Sequence, residues 1–121
     1  AVRTQAGFRP RGPVEAAGAV AYADDAHVDE QRARYRHRLE RAAEVLTAVG
    51  LEAPLPGGAF YLWVPAPDGD AWALAARLAE DAGVLVSPGE FYGDAGAGHV
   101  RLAMVQPDDR IELMARRLGA P

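Results

Sequence analysis

The sequence predicts an α+β domain, α/β in the loose sense, in which helices precede a small sheet and further helices pack on it. Three observations carry this. Tyr35, Leu39, Ala42, Leu46 and Val49 recur at spacings of four and three, the period of one long helix. "AFYLWVPA" and "HVRLAMV" are short aliphatic and aromatic runs, the signature of strands. Two further apolar-periodic stretches, one between those runs and one after them, each follow an aspartate suited to a helix start.

Taken in order, "GFRPRGP" (Gly7 to Pro13) reads as a connection, because each proline disfavours helix in the residue before it. Pro13 suits the first turn of a helix with Val14, Ala17, Val20 and Ala21 on one stripe. Asp24 or Asp25 can cap the long helix, expected over about Val28 to Val49 and closed by Gly50. "LEAPLPGG" reads as a short strand and a turn, and Ala59 to Ala66 as a strand covered on both faces. Asp68 or Asp70 caps a helix from about Ala71 to Ala82, with Trp72, Leu74, Ala75 and Leu78 inward and Gly83 at its end. "VLVS" is a short strand, "HVRLAMV" the third main one, and Asp108 opens a last helix with Ile111, Leu113, Met114 and Leu118 apolar. One domain over 1–121 is expected: a connecting segment and helix (1–24), the long helix (25–50), then the sheet with its helices (51–121).

Composition narrows the function. The chain has 121 residues, half of them hydrophobic and a quarter charged, as in an ordinary globular domain. A formal net charge of −4 argues against a nucleic-acid or anionic-membrane partner. No apolar run approaches the ~20 residues that span a bilayer, and the first residues lack the apolar core of a signal peptide. There is no cysteine, so disulfides and thiolate chemistry are excluded; a cytoplasmic location is the default expectation. All 13 basic residues are arginine, so no lysine Schiff base can form on these residues. The chain begins at Ala1 in a segment that reads like the tail of a helix, as if cut from something longer.

Most motifs have plain readings. Gly93, Gly96 and Gly98 precede a strand, whereas a phosphate cradle follows a strand and opens a helix. His27, His37 and His99 share no metal-ligand spacing, and no metal site is expected; a general-base role for His99 is a minor alternative. "DGD" is a turn and cap. The arginines of "RARYRHRLER" alternate with Glu30, Glu40 and Glu44 and read as a solvated helix face, Glu30 and Arg34 being one i,i+4 pair.

Arg101 is different. It stands in an apolar strand, and alternation sends it to the face opposite Val100 and Leu102. Two readings are open: an internal ion pair to Glu90, Asp94 or Glu15, or a clamp for a ligand carboxylate, whose geometry a guanidinium matches with two parallel hydrogen bonds. The glycine-rich loop before it would let a small ligand approach the backbone.

"PLPGGAFYLWV", "GVLVSPGEFYG" with its following glycines, and "HVRLAMV" ahead of a terminal helix together resemble the C-terminal small domain of class I/II aminotransferases, the fold type I pyridoxal-phosphate enzymes. The upstream "GPVEAAGAVAYADDAHVDEQRARYRHR" resembles the two helices leading into that domain. Within the family, "GPVEAA", "DDAHV" and "PGEFYG" look most like succinyldiaminopimelate aminotransferases of lysine biosynthesis, with Glu15 where glutamine is usual. The resemblance implies a small, mostly antiparallel sheet of three to four strands packed by helices. It implies that Arg101 binds the α-carboxylate of the amino-acid and 2-oxo-acid substrates, with Phe60 as the aromatic beside the substrate, Gly58 in the turn before it, and Pro88 to Gly93 as the segment moving over the site. The Schiff-base lysine and the phosphate ligands would lie in a large domain upstream of Ala1. No catalytic, cofactor-binding or metal residue is therefore expected on this chain, and the fragment alone should be inactive. The complete enzyme would be a homodimer carrying pyridoxal 5'-phosphate and using 2-oxoglutarate as acceptor. The surface facing the large domain, including Phe8, Tyr22 and Phe91, should be apolar. The rival readings are another class I/II aminotransferase, acting on aspartate, an aromatic or another small amino acid, and a non-catalytic binding or oligomerisation module.

Overall fold

The computed structural model describes residues 12–121, so Phe8 and the proline-rich connection lie largely outside it. The chain divides into two units, Ala1–Ala33 and Arg34–Pro121.

In the first unit, α1 (Gly12–Tyr22) buries none of its residues. Its expected stripe is exposed, with Val14 63%, Val20 73% and the neighbouring Tyr22 92% accessible. Helix α2 (Asp25–Ala48) begins here. Asp24 is its cap: Oδ1 accepts from the backbone N–H of Ala26 at 3.1 Å, and Oδ2 lies 3.1 Å from His27 Nδ1.

The second unit is built on the rest of α2. Leu39, Ala42, Ala43, Val45 and Leu46 are buried, as the periodicity expected, and Gly50 ends the helix with φ +82°. The expected strand in "LEAPLPGG" does not form. Pro54 and Pro56 have no backbone N–H to give a ladder, so Leu51 is buried while the segment runs as irregular chain.

The sheet has three antiparallel strands in the order β1-β3-β2: β1 (Tyr61–Pro65), β2 (Ser87–Pro88) and β3 (His99–Ala103). Only the end of "VLVS" pairs. On β1, Leu62 and Val64 are fully buried while Tyr61, Trp63 and Pro65 are half-buried, so one face is closed and the other part-covered, not both closed as expected. Val100 and Leu102 of β3 join the closed face.

Helix α3 (Ala71–Arg77) is capped by Asp70, whose carboxylate accepts from Ala73 N–H at 2.9 Å, and runs into a π turn, Leu78–Ala82, closed by left-handed Gly83. Leu74 and Leu78 point inward, but Trp72 is 55% exposed, with its indole N–H donating to Glu90 at 2.8 Å and its ring edge-on to Phe91. The loop after β2 makes two 3-10 turns, Gly89–Tyr92 and Asp94–Gly96. Gly89 and Gly96 lie backbone against backbone under the Trp63 ring.

Helix α4 (Asp108–Leu118) buries Ile111, Met114 and Ala115 against this core. Two arginines of the basic run hold it to α2. Arg38, its side chain only 14% exposed, donates from Nε to Asp108 Oδ1 at 2.6 Å. Arg41 grips Glu112 with two bonds, 2.7 and 2.9 Å, and also donates to the Pro121 carbonyl at 2.9 Å. That helix face is thus partly an ion-paired seam with α4 and not wholly the solvated surface expected, while His37 is exposed.

Two predictions follow from this packing. A methyl group at Gly96 would meet the Gly89 backbone and come within 3.0 Å of Trp63, so Gly96→Ala should cost about 1–3 kcal/mol in denaturant unfolding. At Gly57 an added Cβ meets open space, and Gly57→Ala should be near neutral. Asp108 and Glu112 are held below the ordinary carboxylate range, chiefly by hydrogen bonds from Arg38 and Arg41. Their stabilising contribution is present above the unfolded carboxylate values and lost as pH falls through the lower folded ones. Melting temperature should therefore drop on acidification, and Arg41→Ala should lower it at neutral pH and flatten that acid slope.

Candidate functional site

The part-covered sheet face carries every group of chemical interest. Register puts Trp63 and Ser87 on either side of Arg101. Alternation puts Tyr61 and His99 on the same face.

Arg101 is half-buried on this face, opposite Val100 and Leu102 as alternation expected. Its guanidinium carbon lies 4.4 Å from the centre of the Tyr61 ring, 5.6 Å from Tyr92 and 5.7 Å from Phe60. Ring quadrupoles attract a cation at such distances but carry no countercharge. Arg101 Nη1 donates to the Tyr92 phenol oxygen at 3.2 Å. Among the described residues of its own unit no carboxylate pairs with it. Glu90 accepts from Trp72 instead, and no ion pair links Arg101 to Asp94. Arg101 thus has a hydrogen bond, three rings, and unspent donors.

The rings are held by one another. Tyr92 packs edge-on to Trp63 at 5.9 Å, and His99 stacks on Trp63 at 5.5 Å, its buried Nδ1 without a hydrogen-bond partner. Phe60 lies between Tyr35 of α2 (6.0 Å) and Tyr61 (5.8 Å). The Ser87 hydroxyl first, and Arg101 second, lower the pKa of the Tyr92 phenol by hydrogen-bonding to its oxygen. A cavity of about 450 Å³ opens beside Arg101 where the chain enters β2; Arg110 and Arg117 of α4 also line it, no carboxylate does, and Phe60, Tyr61 and Tyr92 lie outside its lining. It has the room and the sign of charge for a small anion.

Of the three residues expected to bind substrate, the structure brings Arg101 and Phe60 together. Gly58 lies in the bend two residues before Phe60, where an added Cβ meets open space, so the fold itself does not demand glycine there. Tyr61, Tyr92 and Ser87 were missed. Period-two spacing from Trp63 could have found Tyr61; Ser87 needed the strand register and Tyr92 the loop packing. Tyr22 of the first unit is 92% exposed, and Phe91 of the second is 65% exposed. No helix among the described residues is long and apolar enough to cross a membrane.

Known proteins resemble this chain over most of its length. The family model "Aminotransferase class I and II" matches residues 4–118. The 4-dedimethylamino-4-oxo-anhydrotetracycline transaminase of Streptomyces rimosus is 40% identical over 97% of the chain and 32% of its own length. An LL-diaminopimelate aminotransferase of Aquifex aeolicus is 33% identical over 97% of the chain and 31% of its own. The crystal structure of an aminotransferase from Neisseria meningitidis superposes with a TM-score of 0.85, 33% identity, 98% coverage of this chain and 31% of that one. The chain therefore spans less than a third of the length of these relatives. By the family match, the sequence identity and the shared three-stranded architecture together, this chain belongs to the class I and II aminotransferases.

Proposed function

We propose that this chain is the carboxylate-binding small domain of a pyridoxal-phosphate-dependent aminotransferase. One observation carries the reading: a half-buried guanidinium with aromatic walls, spare donors and no carboxylate of its own unit to neutralise it. Such a charge is costly unless paired, and the α-carboxylate shared by amino-acid and 2-oxo-acid substrates supplies the missing partner in the bidentate geometry arginine favours. Phe60 and Tyr61 then flank the ligand, and Gly58 leaves its approach open.

The residues of this chain do not fit the cofactor. All 13 basic residues are arginine, so no side chain here can hold the aldehyde covalently. The role proposed for the chain is to bind and orient the substrate carboxylate, with the cofactor and its lysine in a large domain upstream and a cytoplasmic homodimer as the assembly. The finer proposal takes succinyldiaminopimelate as amino donor and 2-oxoglutarate as acceptor. It rests on "GPVEAA", "DDAHV" and "PGEFYG" and is supported by relatives named for diaminopimelate.

In the complete enzyme, Arg101→Ala should lower kcat/KM by roughly 30-fold to several thousandfold, equivalent to about 2–5 kcal/mol for a desolvated charged contact. Arg101→Lys should stay poor, since an ammonium cannot make the paired contact. Near-normal activity in Arg101→Ala would overturn the assignment, and a panel of amino donors would test the diaminopimelate proposal.

A further inference from the structure

We infer that Tyr92 is a positioning residue for Arg101, its neutral phenol holding the guanidinium in place for a carboxylate and its phenolate taking that carboxylate's place. The inference rests on the carboxylate reading of Arg101.

The geometry gives Tyr92 both roles. Its oxygen receives one N–H of Arg101 at 3.2 Å, which leaves four of the five guanidinium donors for a ligand. Tyr61 lies against the guanidinium at 4.4 Å, so the ring and the phenol together restrict its orientation. A long side chain fixed in advance loses less rotamer entropy when the ligand arrives. Tyr92 is itself placed by the edge-on contact with Trp63 and by the Gly89 and Gly96 backbones packed under that indole.

The second role follows from what surrounds the phenol. Facing it are Arg101 from β3 and Ser87 from β2; Trp63 of β1 packs against its ring, with His99 stacked on that indole. Glu90, on its own turn, is engaged with Trp72, and Asp94 follows in the next turn. The phenol oxygen is thus bonded to a cation, and the Ser87 hydroxyl acts on it from β2. Both stabilise the phenolate, and they draw its ionisation below the ordinary tyrosine range. Once formed, the phenolate is an anion already in contact with Arg101, and a substrate carboxylate must displace it. Affinity for carboxylates should therefore fall as pH rises through that ionisation.

The test measures KM for the 2-oxo acid against pH in the complete enzyme and in its Tyr92→Phe and Arg101→Ala variants. At neutral pH, Tyr92→Phe should raise KM roughly two- to tenfold, the worth of one ordinary hydrogen bond, with kcat nearly unchanged. It should also remove an alkaline rise in KM that the unmodified enzyme shows. Independently of activity, the difference in tyrosinate absorbance between the unmodified enzyme and Tyr92→Phe should reveal one tyrosine ionising early. Arg101→Ala should move that ionisation toward the ordinary value. Unchanged KM at all pH in Arg101→Ala would overturn the clamp itself. A raised KM in Arg101→Ala, with Tyr92→Phe keeping both the neutral KM and the alkaline rise, would overturn the role of Tyr92 alone.

Discussion

A guanidinium on the open face of a three-stranded sheet needs a countercharge, and within its own unit this fold supplies none. Arg101 is surrounded instead by Tyr61, Tyr92 and Phe60, groups that attract a cation without neutralising it. Much of the second unit can be traced outward from that arrangement. Antiparallel pairing sets Trp63 and Ser87 on either side of Arg101, and Trp63 in turn supports Tyr92 and His99. Two glycines close the loop under the indole, because any side chain there would strike backbone.

The apolar face is secured differently. Leu62, Val64, Val100 and Leu102 meet α2, α3 and α4 in one buried cluster, and the long helix is tied to the last one by Arg38 and Arg41. The two groups of arginines show what context does to one side chain. Arg38 and Arg41 have carboxylates of their own chain and serve stability. Arg101 has no carboxylate in its unit, and that difference, more than its place in a strand, marks it as the binding group.

Much of this was legible in the sequence where the determinants are local. The spacing of Leu39, Ala42 and Leu46 specified the face of α2, and alternation about Val100 and Leu102 specified the face of Arg101. The misses are non-local. Arg38 and Arg41 find partners about 70 residues away, which helical periodicity cannot reveal. Trp72 looked like core by its spacing, yet its N–H has a partner at the surface in Glu90. "LEAPLPGG" was read as a short strand and a turn, although its prolines deny it a ladder. Tyr61 and Tyr92 became site residues only through strand register and loop packing; the resemblance that singled out Phe60 and Gly58 placed Tyr92 only within the segment Pro88 to Gly93 and did not name Tyr61.

The most direct measurement is a crystal structure of the complete polypeptide with a 2-oxo acid bound. The account predicts the ligand carboxylate on two Arg101 nitrogens at hydrogen-bond distance, with Tyr92 still on a third donor and Tyr61 against the guanidinium face. A ligand carboxylate bound elsewhere, with Arg101 paired to an aspartate or glutamate of its own protein, would contradict it.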